Sequence, residues 1–264
     1  RPGGGPHPLA ATAGAPPPTP TERDPPLLCQ TLAIVQANSD LPICIDSSVS
    51  AALKAALEVT KGRPLVNSVT GEEEKLEAIL PLIAKYNVPV VAISNDETGI
   101  SEDPDVRFAV AKKIVERAAD FGIKPHDIVV DPLVMPIGAM GTAGQHVFRL
   151  VRRLREELKV NTTCGASNIS FGMPNRRALT GYFLAMAASH GMTSAIMNPM
   201  HDEDMHAIYG ANVLNGTDAH CRFWTNRFRD MAPAAAALPP GEVAPTAEEL
   251  EARRKAREER RRRR

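Results

Sequence analysis

The sequence predicts an α/β protein built on a parallel sheet. Three observations carry that reading. Six short runs rich in β-branched residues each end in a polar residue. Each run is followed by a segment with a helical pattern. The runs are apolar almost throughout, which suits strands buried on both faces. Repeated βα units of this kind demand parallel strands, in either an open doubly wound sheet or a barrel.

The elements follow in order. Residues 1–26 hold nine prolines and four glycines and read as a disordered leader. Residues 27–38 suit a helix. LPICIDS is apolar to Ile45 and polar at Asp46, and PLVNS ends at Asn67. Thr70-Gly-Glu-Glu73 has the form of a capping box, with Leu76, Ile79, Leu80 and Ile83 at helical spacing behind it. VPVVAISN ends at Ser94 and Asn95. Asp103 then caps a helix with Pro104 in its first turn, ahead of Phe108, Ala111, Val115 and Ala118. DIVVDP ends at Asp131, NTTCGASN at Asn168 and TSAIMN at Asn198, with an apolar-faced helix over 176–190. The ordered body is expected over 27–230, followed by an Ala/Pro linker and Arg-rich tail at 231–264. A complete eight-unit barrel takes about 250 residues and rarely fewer than about 200, so this body lies near the lower limit.

Composition excludes several classes. The 264 residues carry 31 basic and 31 acidic side chains, a formal net charge of zero. Residues 251–264 hold nine bases against three acids, so an acidic body carries a basic tail. That tail lacks interleaved aromatics and any nucleic-acid motif, and a solvated helix is the favoured reading over nucleic-acid binding. No apolar run approaches the roughly 18 residues of a membrane span, and no export signal opens the sequence, so a cytoplasmic protein is expected. Cys29, Cys44, Cys164 and Cys221 are widely spaced and read as reduced thiols without zinc spacing. His201-Asp-Glu-Asp-Met-His206 has metal-ligand chemistry, but acids at a helix start are the simpler account, and no metal is expected.

Asp46, Asn67, Asp131 and Asn168 each stand at the expected C-terminal end of a different strand, the edge where α/β sheets and barrels bind ligands. Two carboxylates and two carboxamides there suit a heterocycle with an amino-pyrimidine edge, since a carboxylate accepts two parallel N–H bonds. Helix capping is the competing account for each one singly. Four at corresponding positions favour the ligand.

ICIDSS, PLVNS, IVVDPLVMP and GASNISFGMPNR, in this order, resemble the pterin-binding methyltransferases. These act between methyltetrahydrofolate and corrinoid proteins, and the folate domain of cobalamin-dependent methionine synthase is related. AISNDETGI and MAASHGMTSAIMNP also look like the family's later junctions, and the resemblance covers about residues 28–229. It implies a (β/α)₈ TIM-type barrel with the pterin across its C-terminal mouth. Asp46, Asn67 and Asp131 would hold the pterin ring. Asn168 would lie by the methyl-bearing nitrogen-5 as the catalytic residue. Gly165 and Ser167 would allow close approach, and Arg176 would meet a folate carboxylate or steady its own loop. The substrate would be 5-methyltetrahydrofolate, with cobalamin or another corrinoid carried by a partner protein.

The family's first two strands would precede residue 28, where the Pro/Gly leader stands. The chain is therefore expected to carry strands three to eight of an incomplete barrel, with a homodimer partner or another polypeptide covering the open edges. A dihydropteroate synthase-like enzyme is one rival; its Ser-Arg-Lys run is replaced here by Ser167-Asn168-Ile169. A truncated, non-catalytic pterin-binding protein is the other.

Overall fold

The structure, a computed structural model, describes residues 20–229. It divides into two units, Arg1–Thr217 and Asp218–Arg264. The leader as far as residue 19 and the tail from 230 lie outside the described residues.

The first unit holds one five-stranded sheet: β1 (Cys44–Asp46), β2 (Leu65–Thr70), β3 (Val90–Ile93), β4 (Ile128–Asp131) and β5 (Asn161–Thr162). The strands lie in chain order, each parallel to the next. A doubly wound sheet reverses its order partway. Here every crossover advances the same way, which with right-handed connections keeps the helices on one face. The result is an arc of a barrel.

The helices are α1 (Pro20–Asn38), α2 (Ser50–Val59), α3 (Glu73–Tyr86), α4 (Pro104–Asp120), α5 (Ala143–Arg153), α6 (Arg176–Ser189) and α7 (Asp202–Leu214). Helix α1 starts ahead of the expected position, inside the Pro-rich leader, with Pro25 and Pro26 within it. Leu32, Ile45, Val66, Val90 and Ile128 pack with Leu53 of α2, Leu76, Ile79 and Leu80 of α3, and Phe108, Ala111 and Ile114 of α4. Each such aliphatic side chain contributes about 1.5–3 kcal/mol by leaving water. A second cluster joins Val147 and Val151 of α5 to Cys164, Ile169 and Phe183. Burial pushes the Cys164 thiol pKa up, as suits a small core residue.

Only β3 is buried on both faces over most of its length. In β1, β2 and β4 buried residues alternate with more exposed ones, because the arc leaves one face open. Strand geometry sends alternate side chains to opposite faces. Ile45, Val66, Ile128 and Val130 therefore meet the helices, while Asp46, Asn67, Val129 and Asp131 share the other face.

Capping differs from expectation at one helix and agrees at another. Thr70 is still in β2 and caps nothing; the first residue of α3 is Glu73, whose N–H donates to Glu97 Oε1 at 2.7 Å from the loop after β3. Lys113 Nζ reinforces the junction, 3.1 Å from Glu73 Oε1 and 2.7 Å from the Gly71 carbonyl. Asp103 does cap α4, accepting from the Asp105 N–H at 2.8 Å, with Pro104 behind it.

The sixth expected strand contributes one parallel bridge, Ile196 to Gly165. Backbone bonds hold the segment there, Ser194 N–H to the Thr162 carbonyl at 3.0 Å and Ile196 N–H to the Cys164 carbonyl at 2.8 Å, but one step earlier Thr162 N–H donates to the Thr193 hydroxyl at 2.8 Å and Thr193 N–H to the Thr162 hydroxyl at 3.1 Å. Hydroxyls thus occupy amides that a regular ladder would use.

In the second unit, α8 (Arg222–Phe228) begins where the Asp218 carboxylate accepts the Phe223 and Trp224 amides at 3.0 and 2.9 Å. No helix among the described residues is long and apolar enough to cross a membrane.

Candidate functional site

Asp46 closes β1 and Asp131 closes β4, as expected. Asn67 does not close β2, which continues to Thr70 through an irregularity between Asn67 and Val69. Ser68 is the extra residue of that bulge. It restores Val69 to the helix side opposite Ala92 while leaving Asn67 on the open face. Asp46, Asn67, Val91 and Val129 then stand in one register row across four strands. Asp131 stands two residues nearer the mouth on the same face, level with Ile93 and Thr70.

Asn168 is not at a strand end either. Strand β5 stops at Thr162, and Asn168 lies on a single 3-10 turn at Ala166–Asn168. Small and polar residues from Gly165 to Asn168 favour a turn over a ladder. The Ala166 N–H donates to the Ile196 carbonyl at 3.1 Å, tying this turn to the sixth segment. Asn168 follows β5 at the C-terminal end of the sheet, but on a loop.

None of the four acts as a helix cap. Asp131 Oδ1 accepts the Leu133 N–H at 2.8 Å, closing a local turn. The side chains of Asp46, Asn67 and Asn168 accept and donate no hydrogen bond within the described residues. Their hydrogen-bonding capacity is available to a bound molecule. Asp46 also walls an open cavity of about 260 Å³ with Leu28, Thr31, Ser47 and Ala52. A larger cavity, about 460 Å³, lies among residues 36–43 and 61–64, at the opposite ends of β1 and β2 from the rim.

Burial lifts the Asp131 carboxyl to a pKa of about 6, the Leu133 amide only partly offsetting it. The protonated and ionised forms are thus both accessible near neutrality.

Gly165 and Ser167 lie just ahead of Asn168 in the chain. A Cβ on Gly165 would stand 3.1 Å from Asn168 Nδ2 and 3.4 Å from its Cγ. Gly165→Ala, with an ordinary φ of −69°, should keep the fold and displace the Asn168 amide. The expected outcome is a several-fold loss in any activity that uses Asn168, with an unchanged urea midpoint. An unchanged rate would mean the Asn168 side chain is not held by this contact. Ser167 is exposed, and its carbonyl accepts from Arg176 Nη2 at 3.0 Å. Arg176 also approaches Ser170 Oγ at 3.4 Å and lies 5.4 Å from the Phe171 ring centroid. Of its two expected roles, these contacts serve the loop.

Two residues escaped the sequence reading. Ser94, 1% exposed, donates through Oγ and N to the Asp131 carbonyl at 2.8 and 3.2 Å. Its place at a strand end was the available signal. Arg107 is buried behind the Asp131 turn. It stands in the apolar stripe of α4 with Ala111, Ile114 and Ala118, and a charge in such a stripe is the mark that could have singled it out. His201 precedes α7 and its Nδ1 lies 3.3 Å from Asp204 Oδ2, so the histidine-acid run organises a helix start. Among the described residues no three His, Cys, Asp or Glu side chains group as metal ligands.

The sequence was compared with known proteins. A model of the pterin binding enzyme family matches residues 12–198. A methylcorrinoid:tetrahydrofolate methyltransferase of Eubacterium limosum is 34% identical over 199 residues, 74% of this chain and 73% of that protein. Methionine synthase of Mycobacterium tuberculosis is 31% identical over 175 residues, which is 61% of this chain and 15% of that protein. Among solved structures, dihydropteroate synthase of Yersinia pestis in a sulfonamide drug complex superposes with a TM-score of 0.56 at 14% identity, over 71% of each chain. At that identity the likeness is one of fold.

Proposed function

Because the chain belongs to the pterin-binding enzyme family, we propose that it moves a methyl group between 5-methyltetrahydrofolate and the cobalt of a corrinoid carried by a separate protein. The observation that carries this reading is the rim: Asp46, Asn67 and Asn168 with unused polar atoms, and Asp131 beside them in the sheet. The pterin would present its amide and amino groups to Asp46, Asn67 and Asp131. A carboxylate and a carboxamide in adjacent strands, about 4.8 Å apart, match neighbouring donors and acceptors on one heterocycle edge.

Nitrogen-5 leaves readily only when protonated. The Asn168 carboxamide oxygen accepts the hydrogen bond from that protonated nitrogen, and the bond strengthens as the carbon–nitrogen bond breaks. The bonding electron pair stays on nitrogen-5, which keeps its proton. The corrinoid supplies a cobalt(I) nucleophile. Asn168 and Ser167 are exposed, so the methyl position stays open to a second protein. The reverse transfer uses the same contacts.

We assign the pterin to the 27–230 region, flanked by the 1–26 and 231–264 segments. We also propose cytoplasmic action and a homodimer that covers the edges of the arc. The decisive experiment supplies methyltetrahydrofolate and cobalt(I) cobalamin to the purified chain and follows the cobalamin spectrum. Transfer above the uncatalysed rate is expected. Tetrahydrofolate binding with no transfer would leave a pterin-binding protein without catalysis. Absence of both would end the pterin reading.

A further inference from the structure

The Asp131 turn is held more firmly than its exposure requires. Three successive carbonyls, those of Asp131, Pro132 and Leu133, all accept hydrogen bonds. Ser94 takes the first. Arg107 Nη1 donates to the Pro132 and Leu133 carbonyls at 2.8 and 2.7 Å, and Nη2 to Glu102 at 3.3 Å. Leu133 has a φ of +58°, a left-handed conformation that L side chains rarely adopt. That conformation goes with the Leu133 amide reaching Asp131 Oδ1.

Arg107 is 1% exposed and has no ion-pair partner among the described residues, and its Nε makes no hydrogen bond at all. A guanidinium in such a place loses its hydration for backbone acceptors and the more distant charge of Asp103, burial outweighing that charge, and an apolar side chain of similar volume would pack without that cost. Packing therefore does not account for it. What its Nη1 does, and an apolar residue cannot, is hold two adjacent carbonyls in one fixed relation, while Nη2 anchors the guanidinium to the Glu102 carbonyl.

We propose that Arg107 is a positioning residue for the pterin: by clamping the Pro132 and Leu133 carbonyls it maintains the left-handed turn that aims the Asp131 carboxylate into the mouth. The inference rests on the pterin reading of the rim. It assigns Arg107 no contact with substrate, only an effect exerted through Asp131.

A double-mutant cycle tests this. Tetrahydrofolate affinity is measured by calorimetry on the full chain for wild type, Arg107→Gln, Asp131→Ala and the pair, with Arg107→Lys alongside. Arg107→Gln should weaken binding about tenfold. In the Asp131→Ala background the same change should cost less than about twofold, because the group it positions is already gone. Lysine, whose ammonium can donate to the two carbonyls but lacks the second nitrogen that anchors the group to Glu102, should restore part of the affinity. A purely structural Arg107 would instead give equal losses in both backgrounds, and that result would overturn the proposal. If Arg107→Gln does not fold, the cycle is run with Arg107→Lys, and the same criterion applies. Wild type that fails to bind tetrahydrofolate would end the pterin reading itself. Normal wild-type binding with additive losses would end only the role of Arg107.

Discussion

Asn168→Ala should lower kcat for the proposed methyl transfer by about 100- to 1,000-fold while tetrahydrofolate affinity changes by less than about tenfold. The split follows from where the side chain acts. Asn168 is exposed and its carboxamide makes no hydrogen bond within the described residues, so removing it leaves no orphaned partner there and little loss of stability. The turn that carries it is secured by backbone bonds that alanine keeps: Asn168 N–H to the Gly165 carbonyl and Phe171 N–H to the Asn168 carbonyl, both 3.1 Å. In the proposed reaction what disappears is the acceptor for the nitrogen-5 proton, a bond that strengthens as the carbon–nitrogen bond breaks. A group used mainly in the transition state lowers kcat and kcat/KM together. Single-turnover transfer to cobalt(I) cobalamin measures the effect. A rate within threefold of wild type would remove Asn168 from the catalytic role.

Asp131→Asn separates stability from function in the opposite direction. The carboxyl titrates near pH 6 in the folded protein against 3.8 as its ordinary value. Between those values the folded state binds more protons than the unfolded state. Stability therefore falls as pH rises from about 4 to about 6 and stays lower above that. A neutral amide of the same shape avoids the penalty and can still accept the Leu133 N–H. The variant should be more stable at pH 7.5 by about 2 kcal/mol, a gain that shrinks as pH falls towards 4. Its pterin affinity should drop by about ten- to a hundredfold, since an amide offers one acceptor where a carboxylate offers two. Urea unfolding at several pH values, paired with calorimetry, checks both halves. Equal stability at pH 7.5 would mean that the carboxyl is well solvated, and unchanged affinity would mean that it does not meet the ligand.

Much of this arrangement was legible from residue type and order. Asp46 and Asp131 fall where an apolar run turns polar, and both close their strands. Asn67 was recognised by the same rule, but the bulge at Ser68 let β2 run on, since one added residue keeps a strand in register without changing its composition. Asn168 came to the C-terminal end of the sheet by a different route. Its run from Asn161 held threonines whose hydroxyls compete for ladder positions, and a glycine that invited a turn. Thr70 looked like a cap because its spacing to Glu73 was right. The actual partner, Glu97, lies in the next βα unit, and local spacing carries no information about it. Arg107 was hidden for the same reason, its acceptors being carbonyls 25 and 26 residues away.

That borrowed cap has a consequence for how neighbouring units communicate. The segment after β3 touches two others at once: Ser94 grips the carbonyl of Asp131, and Glu97 holds the leading amide of α3. A displacement of this segment releases a buried carbonyl on one side and a helix terminus on the other, so the two losses are coupled. Adjacent βα units are therefore geared together rather than merely stacked. The proposed pterin site at Asp131 is thereby linked, through this one segment, to the start of a helix that the ligand would not touch.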